Sequence, residues 1–158
     1  MATIDTRLLD ELDAVNYVLG AIGRAPINTL EAPANRAVTL AIARLSNADL
    51  EVQAEGWSWN TFYNFIAAPN INGEIELPDN TMSVAIARPE NCVPGEPFYY
   101  SNYRVTMRED GGVMKLFNMD TASFQFTAPI SIELRQRQPF ERVPMVARLL
   151  IAAKAAIR

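Results

Sequence analysis

The chain has 158 residues, a formal net charge of −4, 49% hydrophobic and 20% charged residues, and no histidine. That length is one domain's worth of protein, and the balance is that of a globular chain with a real core rather than a disordered one. Lacking histidine, the chain has neither the commonest general base nor the commonest zinc ligand, and its lone Cys92 excludes an intrachain disulfide and Cys/His catalysis.

A single cysteine makes a reducing compartment the default, with Cys92 as a small, partly buried apolar residue in the Pro-rich turn PENCVPG. No stretch nears the ~18 consecutive apolar residues of a membrane span. The start MATIDTRLLDELD places acids where a signal peptide needs its apolar region. Charge is uneven along the chain. Residues 1–60 and 61–132 each hold 4 basic and 8 acidic groups, and residues 133–158 hold 6 basic and 2 acidic. An acidic body is poor at gripping DNA through its phosphates and suits a surface past which DNA slides. The basic tail suits an acidic partner.

Leu8, Leu12, Val15, Leu19 and Ile22 recur at helical period, so the first helix is expected over Leu8–Ile22. Asp5 or Thr6 is its expected cap, and Gly23 with Pro26 its stop. Residues 24–34 read as a connector with a short extended piece at Ile27–Leu30. A second helix is expected from Arg36 to Glu55, capped by Asn35 and closed by Gly56. Ala37, Leu40, Ala41, Leu45, Ala48 and Val52 make one apolar face, and Val38, Ile42 and Leu50 a second. Two faces imply packing on two neighbours, within the subunit or across to another.

At Gly56 the period changes. Thr61–Ala67, Gly73–Leu77 and Met82–Arg88 read as short strands. Tyr103–Glu109 and Val113–Asn118 flank Asp110-Gly111-Gly112 as a tight hairpin. Ile130–Gln136 alternates as a half-buried strand. From Pro144 a helix is expected through Ile157, with Val146, Leu149, Leu150, Ala153 and Ile157 as its apolar side. Its pattern is still running at Arg158, so a continuation is expected beyond that residue. The order predicts an α+β fold in which an N-terminal helical pair and a C-terminal helix pack as a small bundle, with an antiparallel sheet and hairpin region between them. Residues 1–60 and 140–158 are the expected helical part and 61–139 the β-rich part, together one structural unit.

Chemistry is sparse. There is no phosphate loop, nucleophile elbow or CxxC pair, and Gly20-Ala-Ile-Gly23 sits at a helix end, the wrong context for a dinucleotide fingerprint. No catalytic residue, cofactor site or metal site is expected. Carboxylate pairs keep glycan hydrolysis open, with Glu74 and Glu76 on one side of a strand as the closest case, testable by replacing both with glutamine. Asp10 with Asp13 fits helix-dipole placement, and Glu109 with Asp110 fits turn chemistry. Trp57, Trp59, Phe62, Tyr63 and Phe65 form a dense aromatic cluster without interleaved Lys or Arg, so we read it as a structural anchor of helices on sheet rather than a nucleic-acid stacking platform.

The segment Glu11 to Asn60 resembles the N-terminal signature of the tail tubular protein A family, the head-to-tail adaptors of T7-like short-tailed bacteriophages (podoviruses). The matching residues are Ala14-Val15-Asn16, Ile22-Gly23, Pro26, Thr29-Leu30-Glu31, Gly56-Trp57 and Trp59-Asn60. More loosely, Leu77-Pro78, Gly111-Gly112, Pro144 and Ala153-Lys154-Ala155 follow in the family's order, while Pro89 to Pro97 is richer in proline than expected. The resemblance implies a structural virion protein and not an enzyme. It implies a homo-oligomeric ring, a dodecamer, that docks beneath the portal protein and receives a nozzle of the tail tubular protein B type, with tail fibres nearby. It further implies that genomic DNA passes through the lumen without specific binding, and that the protein is made in the host cytoplasm for the phage neck. From position alone, portal contacts are expected at Arg148, Leu149 and Ala152, and nozzle contacts at Arg108, Glu109, Asp110, Gly111 and Gly112. Arg148→Glu is then expected to weaken portal binding without harming the fold. The alternatives are a head-completion or gatekeeper protein elsewhere in the neck, and the hydrolase.

Overall fold

The computed structural model describes residues 9–31, 35–91 and 94–157; Cys92, the expected caps Asp5 and Thr6, and Arg158 lie outside the described residues. Among the described residues, three α-helices and five strands follow one another along the chain in the expected α+β order, with antiparallel pairing in each sheet. The chain gathers into two compact units, Met1–Glu55 with Gln138–Arg158, and Gly56–Arg137.

In the first unit, α1 (Glu11–Ala21) starts later than its apolar stripe suggests. Asp10 is the cap, its Oδ1 accepting the Asp13 N–H at 2.7 Å, with Glu11 and Asp13 near the positive end of the dipole. Gly23 takes φ +70, and the turn closes with Gly23 N to Gly20 O at 3.1 Å and Arg24 N to Leu19 O at 2.9 Å. That pairing satisfies two carbonyls a helix end otherwise leaves orphaned. α2 (Arg36–Ala54) is capped as expected, Asn35 Oδ1 accepting the Ala37 N–H at 2.9 Å. α3 (Met145–Ala156) follows Pro144, whose fixed φ suits a helix start.

Each of these helices packs on the other two. α1 buries Ala14, Val15, Val18 and Leu19, and α2 buries Val38, Ala41, Leu45, Ala48, Asp49, Val52 and Gln53. Val38 is therefore inside, while Leu40, expected on the same face as Ala41, is 46% exposed. α3 departs further. Its buried face is Ala147, Arg148, Ile151, Ala152 and Ala155, and the expected apolar side is turned outward. Small residues inside let helix axes approach closely, and that choice displaces the larger apolar side chains to the surface.

The second unit carries the strands. A three-stranded sheet runs β1 (Thr61–Ala67), β5 (Ile130–Gln136), β2 (Thr81–Ile86), with β5 in the middle and antiparallel to both. Ile130, Ser131, Ile132 and Leu134 are all buried, so β5 is more enclosed than its alternation implies; a central strand is covered where an edge strand is wet. β3 (Val105–Asp110) and β4 (Val113–Asn118) form the expected hairpin, Asp110 pairing with Val113 across two glycines at φ +61 and +82. Positive φ at both central residues is what a two-residue hairpin turn of matching twist requires. Gly73–Leu77, expected as a strand, forms only a bridge between Glu76 and Lys115, yet Ile75 and Leu77 are buried. They join Ala67, Leu116, Phe126, Ile130, Ile132 and Leu134 in one apolar core.

Candidate assembly surfaces

The residues that carry the family-like signature hold backbone rather than ligand. Asn16, half-buried on α1, reaches the connector with both ends of its amide: Nδ2 donates to Ile27 O at 3.0 Å and Oδ1 accepts Ile27 N–H at 2.8 Å. Gly56 sits at φ +81, and the Arg135 guanidinium occupies the space a Cβ there would fill. Asn60, fully buried, accepts the Trp57 N–H on Oδ1 at 2.9 Å, while its carbonyl accepts Gln136 N–H. A similar clamp, invisible in the sequence, joins Gln53 to Gln138: Oε1 accepts Gln138 N–H at 2.7 Å, and Nε2 donates to Gln138 O and to Asp49 Oδ1, each at 2.8 Å. Buried amides satisfied this way are costly to remove, because the backbone partners lose their bonds as well.

The three expected portal residues separate. Arg148 is 6% exposed; its Nε donates to Val143 O at 2.9 Å and its Nη1 to Leu9 O at 2.7 Å. Ala152 is buried beside it on the inner face. Leu149 alone of the three lies outside, in a row with Val146 (79% exposed), Leu150 and Ile157 (88%). Arg148 is basic yet buried: a guanidinium with five donors can be enclosed when backbone carbonyls receive it. Glu at 148 would set a carboxylate against those same carbonyls, so the swap expected to spare the fold would disrupt it.

At the hairpin tip, Arg108, Glu109, Asp110, Gly111 and Gly112 are all exposed. The Arg108 guanidinium lies 3.8 Å from the Phe117 ring centroid, which holds its side chain along the strand. Lys115 binds Asp110 and Glu74 at 2.8 Å each. These two hydrogen bonds, Asp110's first, hold the ammonium charged well above its ordinary range. Glu74 is thus committed to an ion pair, and Glu76 accepts from Asn70 Nδ2. The other end of the hairpin is clasped by Asp120, which takes the Arg104 N–H at 2.8 Å and the Arg104 side chain at 2.7 Å, and is held below the usual carboxylate range by them. Among the described residues no group of three His, Cys, Asp or Glu is placed to hold a metal ion, and no helix is long and apolar enough to cross a membrane.

The aromatic cluster also divides. A bulge between Phe62 and Phe65 breaks the alternation of β1, and Phe62 and Tyr63 both reach solvent, as does Trp57. Trp59 is half-buried, and Phe65 packs against the β core. Two features escaped the reading of the sequence. Tyr99, Tyr100 and Tyr103 are exposed, and their signal was the run Phe98-Tyr99-Tyr100 after the Pro-rich loop. An open cleft of about 420 Å³ is lined by Ile22, Arg24, Asn35, Arg36, Ala37, Leu40 and Arg44. Its signal was Arg36, Leu40 and Arg44 at intervals of four, which share one helix face.

Across these surfaces the polar side chains bond to backbone, and several large apolar ones are exposed. The model of the tail tubular protein family matches residues 12–158. The chain belongs to that family and is a structural protein of the bacteriophage tail. No curated protein matches it.

Proposed function

We propose that the chain is a head-to-tail adaptor: a subunit of a dodecameric ring joining the portal to the tail nozzle in a short-tailed phage, with genomic DNA passing through its lumen. The observation that carries this reading is the outward row Val146, Leu149 and Leu150 on α3. A row of branched apolar side chains this exposed is a feature of protein interfaces more than of solitary chains. It replaces Arg148 and Ala152 as the portal-facing surface, with Leu149 kept from the original trio. The hairpin tip at Arg108–Gly112 is the nozzle contact, because a projecting turn held by Lys115 and Phe117 docks without first having to order itself. Trp57, Phe62 and Tyr63 offer a further apolar contact between ring neighbours or to tail fibres. The two compact units act together as one structural unit, made in the host cytoplasm and carried in the neck of the virion.

The mass of the full chain, alone and mixed with its phage's portal protein, tests this. A complex holding about twelve copies of each is expected, since heterologous contacts that close give a ring. A chain that ignores the portal under all assembly conditions removes the adaptor reading while leaving it a tail protein.

A further inference from the structure

The cleft at the start of α2 brings three arginines together with two large apolar side chains, Ile22 and Leu40. Arg36 and Arg44 lie eight residues apart on one face, roughly 12 Å along the helix, with Leu40 between them. Arg24 and Ile22 form the opposite wall, delivered there by the left-handed turn at Gly23. None of the three arginines has an ion pair or side-chain hydrogen bond among the described residues. The helix end adds little, because Asn35 already takes the amides of Ala37, Val38 and Thr39. Three guanidinium groups that no described carboxylate compensates, set around an exposed leucine, are a surface suited to an acidic partner.

We propose that this cleft receives an acidic segment of an adjacent copy of the same chain, two or more carboxylates flanking an apolar side chain. The inference rests on the ring reading above and gives one of its subunit contacts. Charge complementarity favours a second copy: apart from these three, 11 basic residues stand against 18 acidic ones, so most of what another copy presents is acidic. Arg binds carboxylates in bidentate geometry, and Ile22, Ala37 and Leu40 give an apolar floor that a phosphate backbone would not use. A basic cleft meeting an unlike acidic surface is a head-to-tail contact, the kind that builds rings.

The test compares self-association of the full chain and of Arg36→Glu/Arg44→Glu by sedimentation, at low and at about 0.5 M salt. We expect the double variant to associate at least roughly 30-fold more weakly, salt to weaken the wild type likewise, and Arg36→Lys/Arg44→Lys to retain part of the affinity. If circular dichroism shows that the glutamate pair unfolds the chain, Arg36→Gln/Arg44→Gln takes its place. Unchanged association in a folded variant overturns the proposal and leaves the adaptor reading standing. A wild type monomeric at every concentration also overturns it, while portal mixing still decides the adaptor reading. Loss of binding to a short DNA duplex with association intact would reassign the cleft to phosphate.

Discussion

In the β unit, Ile132 and Leu134 lie on a strand paired along both edges, and neither side chain reaches solvent. In the helical unit, Val146 is as apolar and lies on as regular an element, yet it is more than three-quarters exposed. The interior of that unit is instead closed by small residues on α3 and by Arg148, Asn16 and Gln53 bonding to backbone. A strand in the middle of a sheet has its place decided by its neighbours. A helix with apolar residues on several sides can bury any one of them, and here polar clamps decide which. The surplus apolar face then becomes available for assembly.

If that contrast is right, the largest effect on stability comes from a charge, not from a large apolar residue. Arg148→Glu removes two charge-assisted hydrogen bonds and opposes the carbonyls of Val143 and Leu9 with a carboxylate. We expect a loss of roughly 3–5 kcal/mol, about 10 °C or more in melting temperature. Arg148→Met, which keeps the stem, should lose less. A chain with glutamate at 148 that melts like wild type would place this residue outside the helical core. Next comes Asn16→Ala, which frees both polar groups of Ile27 in the connector. A cost of roughly 1–3 kcal/mol is expected in urea denaturation, with faster amide exchange at Ile27.

These two residues also show what was legible. Asn16 was singled out for its place in a signature, but its partner eleven residues away is set by the path of the connector, which local pattern does not encode. Gly56 announced a helix end, and did end one, but its second constraint comes from Arg135, nearly eighty residues on in the chain. Strand bounds at 61–67, 113–118 and 130–136 were readable because β-branched and aromatic runs between turn residues have few other uses. The main face of α2 was legible at Ala41, Leu45, Ala48 and Val52, whereas that of α3 was not, because alanine packs or faces solvent equally well and leaves the period ambiguous. The burial of Arg148 was not legible for a simpler reason: exposure is the rule for arginine, and its burial depends on carbonyls of Val143 and Leu9.

A smaller effect separates the units by pH. Arg104 holds the Asp120 carboxyl below its ordinary range, so its contribution is present above the unfolded pKa and is lost as pH falls through the lowered folded value. Asp120→Asn should therefore flatten the acid limb of the stability curve slightly, in the β unit alone. Both groups reach solvent, so the change is expected to be modest, and salt should shrink it. Equal flattening at helical-unit probes would show that the clasp at the base of the hairpin is not local.

The smallest effect on stability is expected where the sequence looked most core-like. Val146→Asp adds a charge to a position already 79% exposed, so melting should shift by less than about 0.5 kcal/mol. Binding is where it should act. Placing a carboxylate in the middle of an apolar interface leaves it desolvated and unpaired, which weakens association by roughly a hundredfold or more if the α3 row meets the portal. The two readouts pull apart the two roles an apolar residue can have. A variant that melts normally and fails to bind assigns Val146 to assembly. One that melts early returns the row to the fold and makes the exposed face of α3 a packing surface for some other part of the same chain. Normal melting with normal binding would leave Val146 outside the portal contact and shift attention to Leu149 and Leu150, half as exposed and one turn farther along the helix.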